Sequence, residues 1–294
     1  MKETKRYALD QSPLYKLRNR KKLAEILHIS ARDLRFLSKN ANALYHEFQI
    51  KKKDGGVRGV ENPSRPLKLV QANLARLLAR IAPPDYLFCP VKGRCYVTNA
   101  ARHRGQRVVR CLDVRKYFPS TSSKRVFWFF HKIMKCEADI AATLTSLSTY
   151  QGHLPTGSPL SPMLAYYAHY DVWQTIADIC AYHNYNLSVY IDDVTVSGPS
   201  VSAVAMWQIK TAIHRSGLRY HKEKFFHGRP SEITGVIVAG DKLSAPNRQL
   251  KKIASTKRQI KISRRPDDNA KLKEQLTGLN GQIKQIASRQ IQKI

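Results

Sequence analysis

Acid is scarce in this sequence. Against 51 Lys and Arg there are 21 Asp and Glu, a formal net charge of +30 and a pI near 10.1. Solubility needs no such excess, so a polyanion is the natural partner. The basic residues run along the whole chain instead of filling one tail, which reads as a folded surface that follows phosphates over many contacts. Cysteine is sparse as well: Cys89, Cys95, Cys111, Cys136 and Cys180 contain no CxxC pair and are odd in number, which argues against a disulfide framework and for a reducing compartment. Long hydrophobic runs are missing. No segment approaches the ~18 apolar residues of a membrane span, and the opening MKETKRYALDQS has no apolar signal core. No membrane partner is expected, and the expected location is cytoplasmic.

What is present suits one catalytic unit, or a few packed subdomains, in 294 residues. Residues 14 to 48 look helical, with Ser30 capping a start and Asp33 three residues on. FQIKKKDGGVRGVENP then reads as a basic hairpin turning at Asp54, Gly55 and Gly56. Leu67, Val70, Leu74, Leu77, Leu78 and Ile81 recur at helical spacing until Pro83 and Pro84 stop the run. A strand at 108–113, an aromatic-rich helix near VFWFFHKIM, the loop HLPTGSPLSP and a helix from Met163 to about Ile179 follow. Beyond them come a helix around Ala203 to His214, a strand over 233–240, and a helix-prone basic tract from Asn247 that Pro266, Gly278 and Gly281 should break.

Chemistry concentrates in NLSVYIDDVTVSG, residues 186–198. Leu187, Val189 and Ile191 precede two aspartates and Val194 and Val196 follow, so the segment predicts a β-hairpin with Asp192 and Asp193 at its tip. Adjacent carboxylates repel and each loses hydration, a conflict that a divalent cation resolves. A DD pair alone is usually an ordinary polar turn. Here Asp113 closes the apolar strand VVRCL, and if the two elements neighbour each other, three carboxylates converge. Oxygen-only ligands suit magnesium, and two ions would make a nucleotidyl-transfer centre.

From about Tyr45 to Gly240 the motifs follow one another in an order that resembles a bacterial reverse transcriptase of the retron type. YIDD at 190–193 resembles the family's polymerase motif, LDVRKYFPS at 112–120 its first acidic motif, LPTGSPLSP at 154–162 its template and nucleotide loop, and KKKDGGVRG at 51–59 its fingers hairpin. Asn99-Ala100 with His103 fits the retron NAxxH pattern, and Ile233-Thr234-Gly235 resembles its VTG element. Isoleucine replaces the usual alanine in YIDD, and MLAYY follows the loop where a polar residue such as Asn is expected, which puts contacts there in doubt.

The resemblance implies an α+β, right-hand polymerase: N-terminal helices and fingers over 1–107, a palm with an antiparallel sheet over 108–243, and a small basic helical thumb over 244–294. It implies two Mg2+ ions on Asp113, Asp192, Asp193 and the Val114 carbonyl, with deoxynucleoside triphosphates as substrates. Lys52 and Arg58 would clamp the triphosphate, Phe118 would exclude a ribose 2′-hydroxyl, Gly157 would let the backbone approach the nucleotide, and Lys224, with Lys222 beside it, would act at the site. Asn99, His103, Thr234 and Gly235 would contact RNA, although Asn99 and His103 could instead pin the local fold. The implied partners are a cognate noncoding RNA and its DNA copy, joined as branched msDNA through an RNA 2′-hydroxyl, and an effector or toxin protein in antiphage defence. The rival expectations are another bacterial reverse transcriptase, such as a group II intron or defence-associated enzyme, and a non-catalytic RNA-binding scaffold. The tract after residue 243 is expected to leave no room for a maturase or endonuclease domain.

Overall fold

The computed structural model describes residues 6–51, 55–263 and 265–288. The chain divides into two compact units, each drawn from three stretches: Met1–Asp85, Val114–Asp178 and Gln208–Tyr220 in one, Tyr86–Asp113, Ile179–Trp207 and His221–Ile294 in the other. The folded units therefore interleave along the chain, whereas the expected fingers, palm and thumb are consecutive.

In the first unit the expected helical lead-in is two short helices, Arg20–Leu27 and Ala31–Lys39. Asn19 caps the first by accepting the Lys21 and Lys22 amides. Ser30 caps the second, accepting the Asp33 amide at 3.0 Å while its hydroxyl donates to the Asp33 carboxylate at 2.7 Å. The chain is already extended at β1 (Tyr45–Lys51), which pairs antiparallel with β2 (Val57–Pro63) from Tyr45 opposite Pro63 to Lys51 opposite Val57. The apolar stripe that starts at Leu67 lies on a helix spanning Arg65–Leu78, where Leu67, Val70, Leu74 and Leu78 are buried. Each such side chain contributes about 2 kcal/mol through removal from water. The aromatic segment forms Ser123–Trp128 and a π-helical turn, Phe129–Ile133, that buries Phe129 and Phe130 fully. The expected helix from Met163 is two helices, Ser161–Ala168 and Tyr170–Tyr182, interrupted at His169.

The second unit is organised by a five-stranded sheet of β3 (Leu87–Cys89), β4 (Val108–Val114), β5 (Asn186–Tyr190), β6 (Asp193–Gly198) and β7 (Tyr220–His227), in the order β3-β5-β6-β4-β7. Strands β5 and β6 form the expected hairpin, and β4 runs antiparallel to β6. Where one strand was expected over 233–240, β8 (Ser231–Ile233) and β9 (Val236–Ala239) form a tight hairpin, extended by β10 (Lys242–Ser244) into a three-stranded sheet. Val97, Ala100, Val109, Val236, Leu243 and Ile286 share one apolar cluster there, which ties the C-terminal helix to both sheets. The basic tract forms helices Asn247–Ile262 and Pro266–Ser288. Gly278 and Gly281 do not break the second: a Cβ at either would meet nothing within 4 Å, so they cost only helix propensity, about 1 kcal/mol each. The mixture of helices and sheets is the expected α+β class. Among the described residues no helix is long and apolar enough to cross a membrane.

Candidate active site

The register of β4 on β6 brings the acids together. Val108 lies opposite Gly198, and each step along the pair ends with Asp113 directly opposite Asp193. Tyr190 faces Asp193 across the neighbouring pair, so the β5–β6 turn consists of Ile191 and Asp192. A two-residue turn that matches strand twist needs a positive φ at its first residue, and Ile191 adopts φ +59°. A β-branched side chain in that conformation is strained by about 1–3 kcal/mol. The sheet on both sides holds the turn in place.

Burial, then the negative charges of Asp192 and Asp113, push the Asp193 carboxyl up to about 6, while Lys224 pulls the other way. A cation would relieve that strain of like charges. Among the described residues no group of three or more His, Cys, Asp or Glu side chains is gathered closely enough to hold a metal ion by itself. An open, oxygen-only set still fits magnesium, which keeps waters and takes further ligands from substrate phosphates. Val114 follows as the last residue of β4, with its side chain fully buried.

Asp113 and Asp193 open into a cavity of about 390 Å³ whose other lining residues include Cys111, Tyr190, Thr195, Lys222, Lys224, Glu232, Thr234 and Gly235. Lys222 and Lys224 are two apart on β7, so the pleat presents both to the same side and the cavity takes both. Two neighbours of the acids, His221 and Glu232, went unremarked in the sequence. His221 Nδ1 lies 3.3 Å from Asp113 Oδ1. Glu232 is held low by the Arg248 guanidinium, which grips its two oxygens at 2.7 and 2.5 Å. Burial pushes the Cys111 thiol up to about 11, which makes it a poor nucleophile. An acid in the basic tract around residue 232 was the available hint of an ion pair.

The two retron-like elements meet each other. Asn99 Nδ2 donates to Thr234 Oγ1 at 3.2 Å, and Thr234 Oγ1 donates to the Tyr96 carbonyl at 3.1 Å. Those bonds hold Thr234 at φ +46° ahead of Gly235 at φ +83°, the two left-handed residues of the β8–β9 turn. His103 is fully buried, with Nδ1 2.6 Å from Ser197 Oγ and Nε2 2.8 Å from Ser188 Oγ. Burial, with Arg102 nearby, pushes its pKa down to about 3, so the ring is neutral and clamps β5 to β6 from below. The expected RNA contact of Asn99 and His103 is thus corrected to an internal pin, because neither side chain reaches the surface. Thr234 and Gly235 do reach the cavity of the acids.

In the first unit Phe118 is partly exposed beside buried Tyr117, with ring centroids 6.0 Å apart. Its ring is therefore not a core ring. Arg58 is exposed on β2 opposite Ile50, and Lys52 lies outside the described residues. Gly157 has a packing reason to be glycine. A Cβ there would stand 2.6 Å from the Glu61 carbonyl oxygen and 3.0 Å from Asn62 Cα, so the missing side chain makes room for β2 itself. The Gly157 amide donates to that carbonyl at 3.1 Å. Glu61, unremarked in the sequence, also accepts from His153 Nε2 at 2.9 Å and from the Thr156 amide at 3.0 Å. Together these bonds latch the hairpin base to the LPTG loop.

An α+β fold with carboxylates at the end of the antiparallel strands β5, β6 and β4 of a mixed sheet, and lysines on the adjoining strand, is the build of a nucleic-acid polymerase. The family profile described as reverse transcriptase (RNA-dependent DNA polymerase) matches residues 50–238, well over half of the chain. The chain belongs to that reverse transcriptase family. Its curated relatives include the retron Se72 reverse transcriptase of Salmonella heidelberg (strain 579083-10), 29% identical over 60% of this chain and 47% of the relative. The retron Ec86 reverse transcriptase of Escherichia coli is 26% identical over 79% of this chain and 74% of its own length. The retron Mx65 reverse transcriptase of Myxococcus xanthus is 30% identical over 66% and 51%. The chain thus spans about half the length of the first and third of these relatives.

Proposed function

We propose that this chain is a retron-type RNA-directed DNA polymerase, and that Asp113, Asp192 and Asp193 hold its catalytic metals. The observation that carries the reading is the register placing Asp113 opposite Asp193 beside the Asp192 turn, in a cavity that also holds Lys222 and Lys224. Two Mg2+ ions held by these carboxylates, with the Val114 carbonyl as a further oxygen ligand, would supply activation of the attacking hydroxyl and charge stabilisation of the leaving pyrophosphate. Lys224, with Lys222 beside it, balances negative charge in the cavity and is suited to meet substrate phosphates. Arg58 and Lys52 clamp the triphosphate of the incoming deoxynucleotide, and the Phe118 ring excludes a ribose 2′-hydroxyl. Thr234 and Gly235 contact the nucleic acid that enters the cavity.

The layout is that of a right hand, with fingers over 1–107, palm over 108–243 and a thumb over 244–294 that grips the duplex by its backbone. The template is part of a cognate noncoding RNA, copied into single-stranded DNA from an RNA 2′-hydroxyl to give branched msDNA. The setting is the cytoplasm, in antiphage defence beside an effector or toxin protein. The support for this part is the retron character of the curated relatives and the meeting of Asn99 with Thr234.

Asp193→Asn is the test. It keeps the size and shape of the side chain while removing a charge that metal binding needs. The expected outcome is a loss of DNA synthesis of about a thousandfold or more on a primed RNA, with RNA binding retained. Extension at the wild-type rate would defeat the proposal. Nucleic acid extracted from the purified protein should contain covalently joined RNase- and DNase-sensitive parts; RNA alone would favour a scaffold.

A further inference from the structure

A second cavity, of about 300 Å³, lies at the other end of the strands that carry the acids. Its walls are three turns: Gly105 to Arg107 leading into β4, Gly228 to Ser231 leaving β7, and Val238 to Gly240 closing β9. Arg107 immediately precedes β4, six residues before Asp113 near its far end, which puts the cavity roughly 20 Å from the carboxylates at about 3.3 Å per residue.

The construction of this cavity suits an anion. Backbone bonds join the turns: the Gly105 amide donates to the Gly240 carbonyl at 3.0 Å, and the Gly228 amide to the Arg107 carbonyl at 2.9 Å. Gly105, Gly228 and Gly240 have φ of +70°, +61° and +55°, and at these three wall positions a ligand can approach the main chain closely. Arg107 and Arg229 supply the charge, both exposed at the cavity. Arg229 is oriented by a 2.9 Å bond to the Phe225 carbonyl and by the Phe226 ring, 5.5 Å away. Among the described residues no ion pair neutralises either arginine. Asp241 stands just outside, its Oδ1 3.3 Å from where a Gly105 Cβ would be.

We propose that this cavity is a second nucleic-acid site, in which Arg107 and Arg229 hold backbone phosphates of an RNA strand or duplex whose other part occupies the carboxylate end. The inference rests on the polymerase reading for the identity of the polyanion. It assigns no base contact: guanidinium forks against bare glycine backbone recognise phosphate, not sequence.

The test compares Arg107→Gln/Arg229→Gln with a control of equal charge loss, Arg32→Gln/Arg35→Gln, on the exposed face of the helix Ala31–Lys39. The probe is a double-stranded RNA hairpin long enough to span both ends of the sheet, titrated at several salt concentrations. For the site variant the slope of log affinity against log salt should shrink by about 2, one counterion for each lost phosphate contact, with affinity about tenfold weaker at the lowest salt. The control should stay within about twofold of wild type. Equal losses in the two variants would show only a general effect of charge and would overturn the site.

Asp241→Asn removes the neighbouring negative charge without touching the arginines and should tighten binding by a few-fold; no change would count against the site. Titration with inorganic pyrophosphate separates the sources of phosphate. If the arginine variant lost pyrophosphate binding while RNA binding stayed intact, the cavity would be a free-anion site and the nucleic-acid assignment would fall. Extension of a short primed template, which reaches only the carboxylate end, should be unaffected in all these variants. Absence of extension even in wild type would sink the polymerase reading while leaving the binding contrast intact.

Discussion

Two hairpins carry the chemistry proposed for this chain, and they are built in opposite ways. The β5–β6 hairpin sits inside a five-stranded sheet, with β3 on one side, β4 on the other and the His103 ring joining its strands. Leu187, Val189, Val194 and Val196 are all buried. The β1–β2 hairpin is a sheet of two strands, with Phe48, Ile50 and Val57 about half exposed. An isolated two-stranded ribbon is marginal in water, so what fixes it is its base. Metal ligands must be held within fractions of an ångström, which a central strand provides; a clamp on a substrate phosphate must open and close, which an edge ribbon allows.

The largest expected effect tests how far the first hairpin depends on its buried pin. His103→Ala removes two hydrogen bonds, leaves the Ser188 and Ser197 hydroxyls buried and opens a cavity. We expect a loss of about 3 kcal/mol, or roughly 6–12 °C in Tm. The same residue gives a pH signature. In the fold its pKa is about 3, and in the unfolded chain it returns to about 6.5. Between those values the unfolded chain binds more protons, so stability is flat above about 6.5 and falls as the pH drops toward 3. His169, also buried and lowered to about 3, adds its own share in the other unit. The variant should therefore keep a shallower acid slope. An unchanged slope would show that His103 is not buried neutral.

A smaller effect is expected where the second hairpin meets its anchor. Gly157→Ala places a methyl 2.6 Å from the Glu61 carbonyl, and backbone on both sides has little room to give. A cost of about 2 kcal/mol follows from overpacking. Hydrogen exchange checks where it falls: amides of Tyr45–Pro63 should exchange faster, while those of Leu187–Val196 keep their protection. Uniform loss across both hairpins would erase the contrast drawn between them.

The same contrast explains what the sequence made legible. Alternation around YIDD and the apolar VVRCL show each strand alone, since side-chain periodicity is local. That Asp113 stands opposite Asp193 depends on register between strands 80 residues apart in number, which no local pattern states. For Asn99 and His103 the sequence leaves RNA contact and an internal pin both open, and tertiary packing turns both inward. Gly278 and Gly281 read as breakers, but packing along Pro266–Ser288 outweighs their propensity. Glu61 passes unremarked two residues beyond the cationic KKKDGGVRG, and it gains meaning only when its partners Thr156 and His153, 95 and 92 residues away, come into view.

Glu61→Gln is the finest cut through this comparison. The amide keeps one acceptor for the Thr156 N–H and loses the charge that strengthens both bonds, so the latch weakens by about 1 kcal/mol without a clash or a void. Its effect should pass through the hairpin to Arg58, which stands on the same strand three residues before it. A loosened clamp binds the triphosphate less well in the ground state and the transition state alike, which raises KM and spares kcat. We expect KM for deoxynucleotides to rise by about fivefold with kcat within about twofold, and Glu61→Ala, which abolishes both bonds, to go further in the same direction. A fall in kcat at constant KM would instead place Glu61 with the carboxylates of the rigid hairpin, and the division of labour between the two ribbons would have to be abandoned.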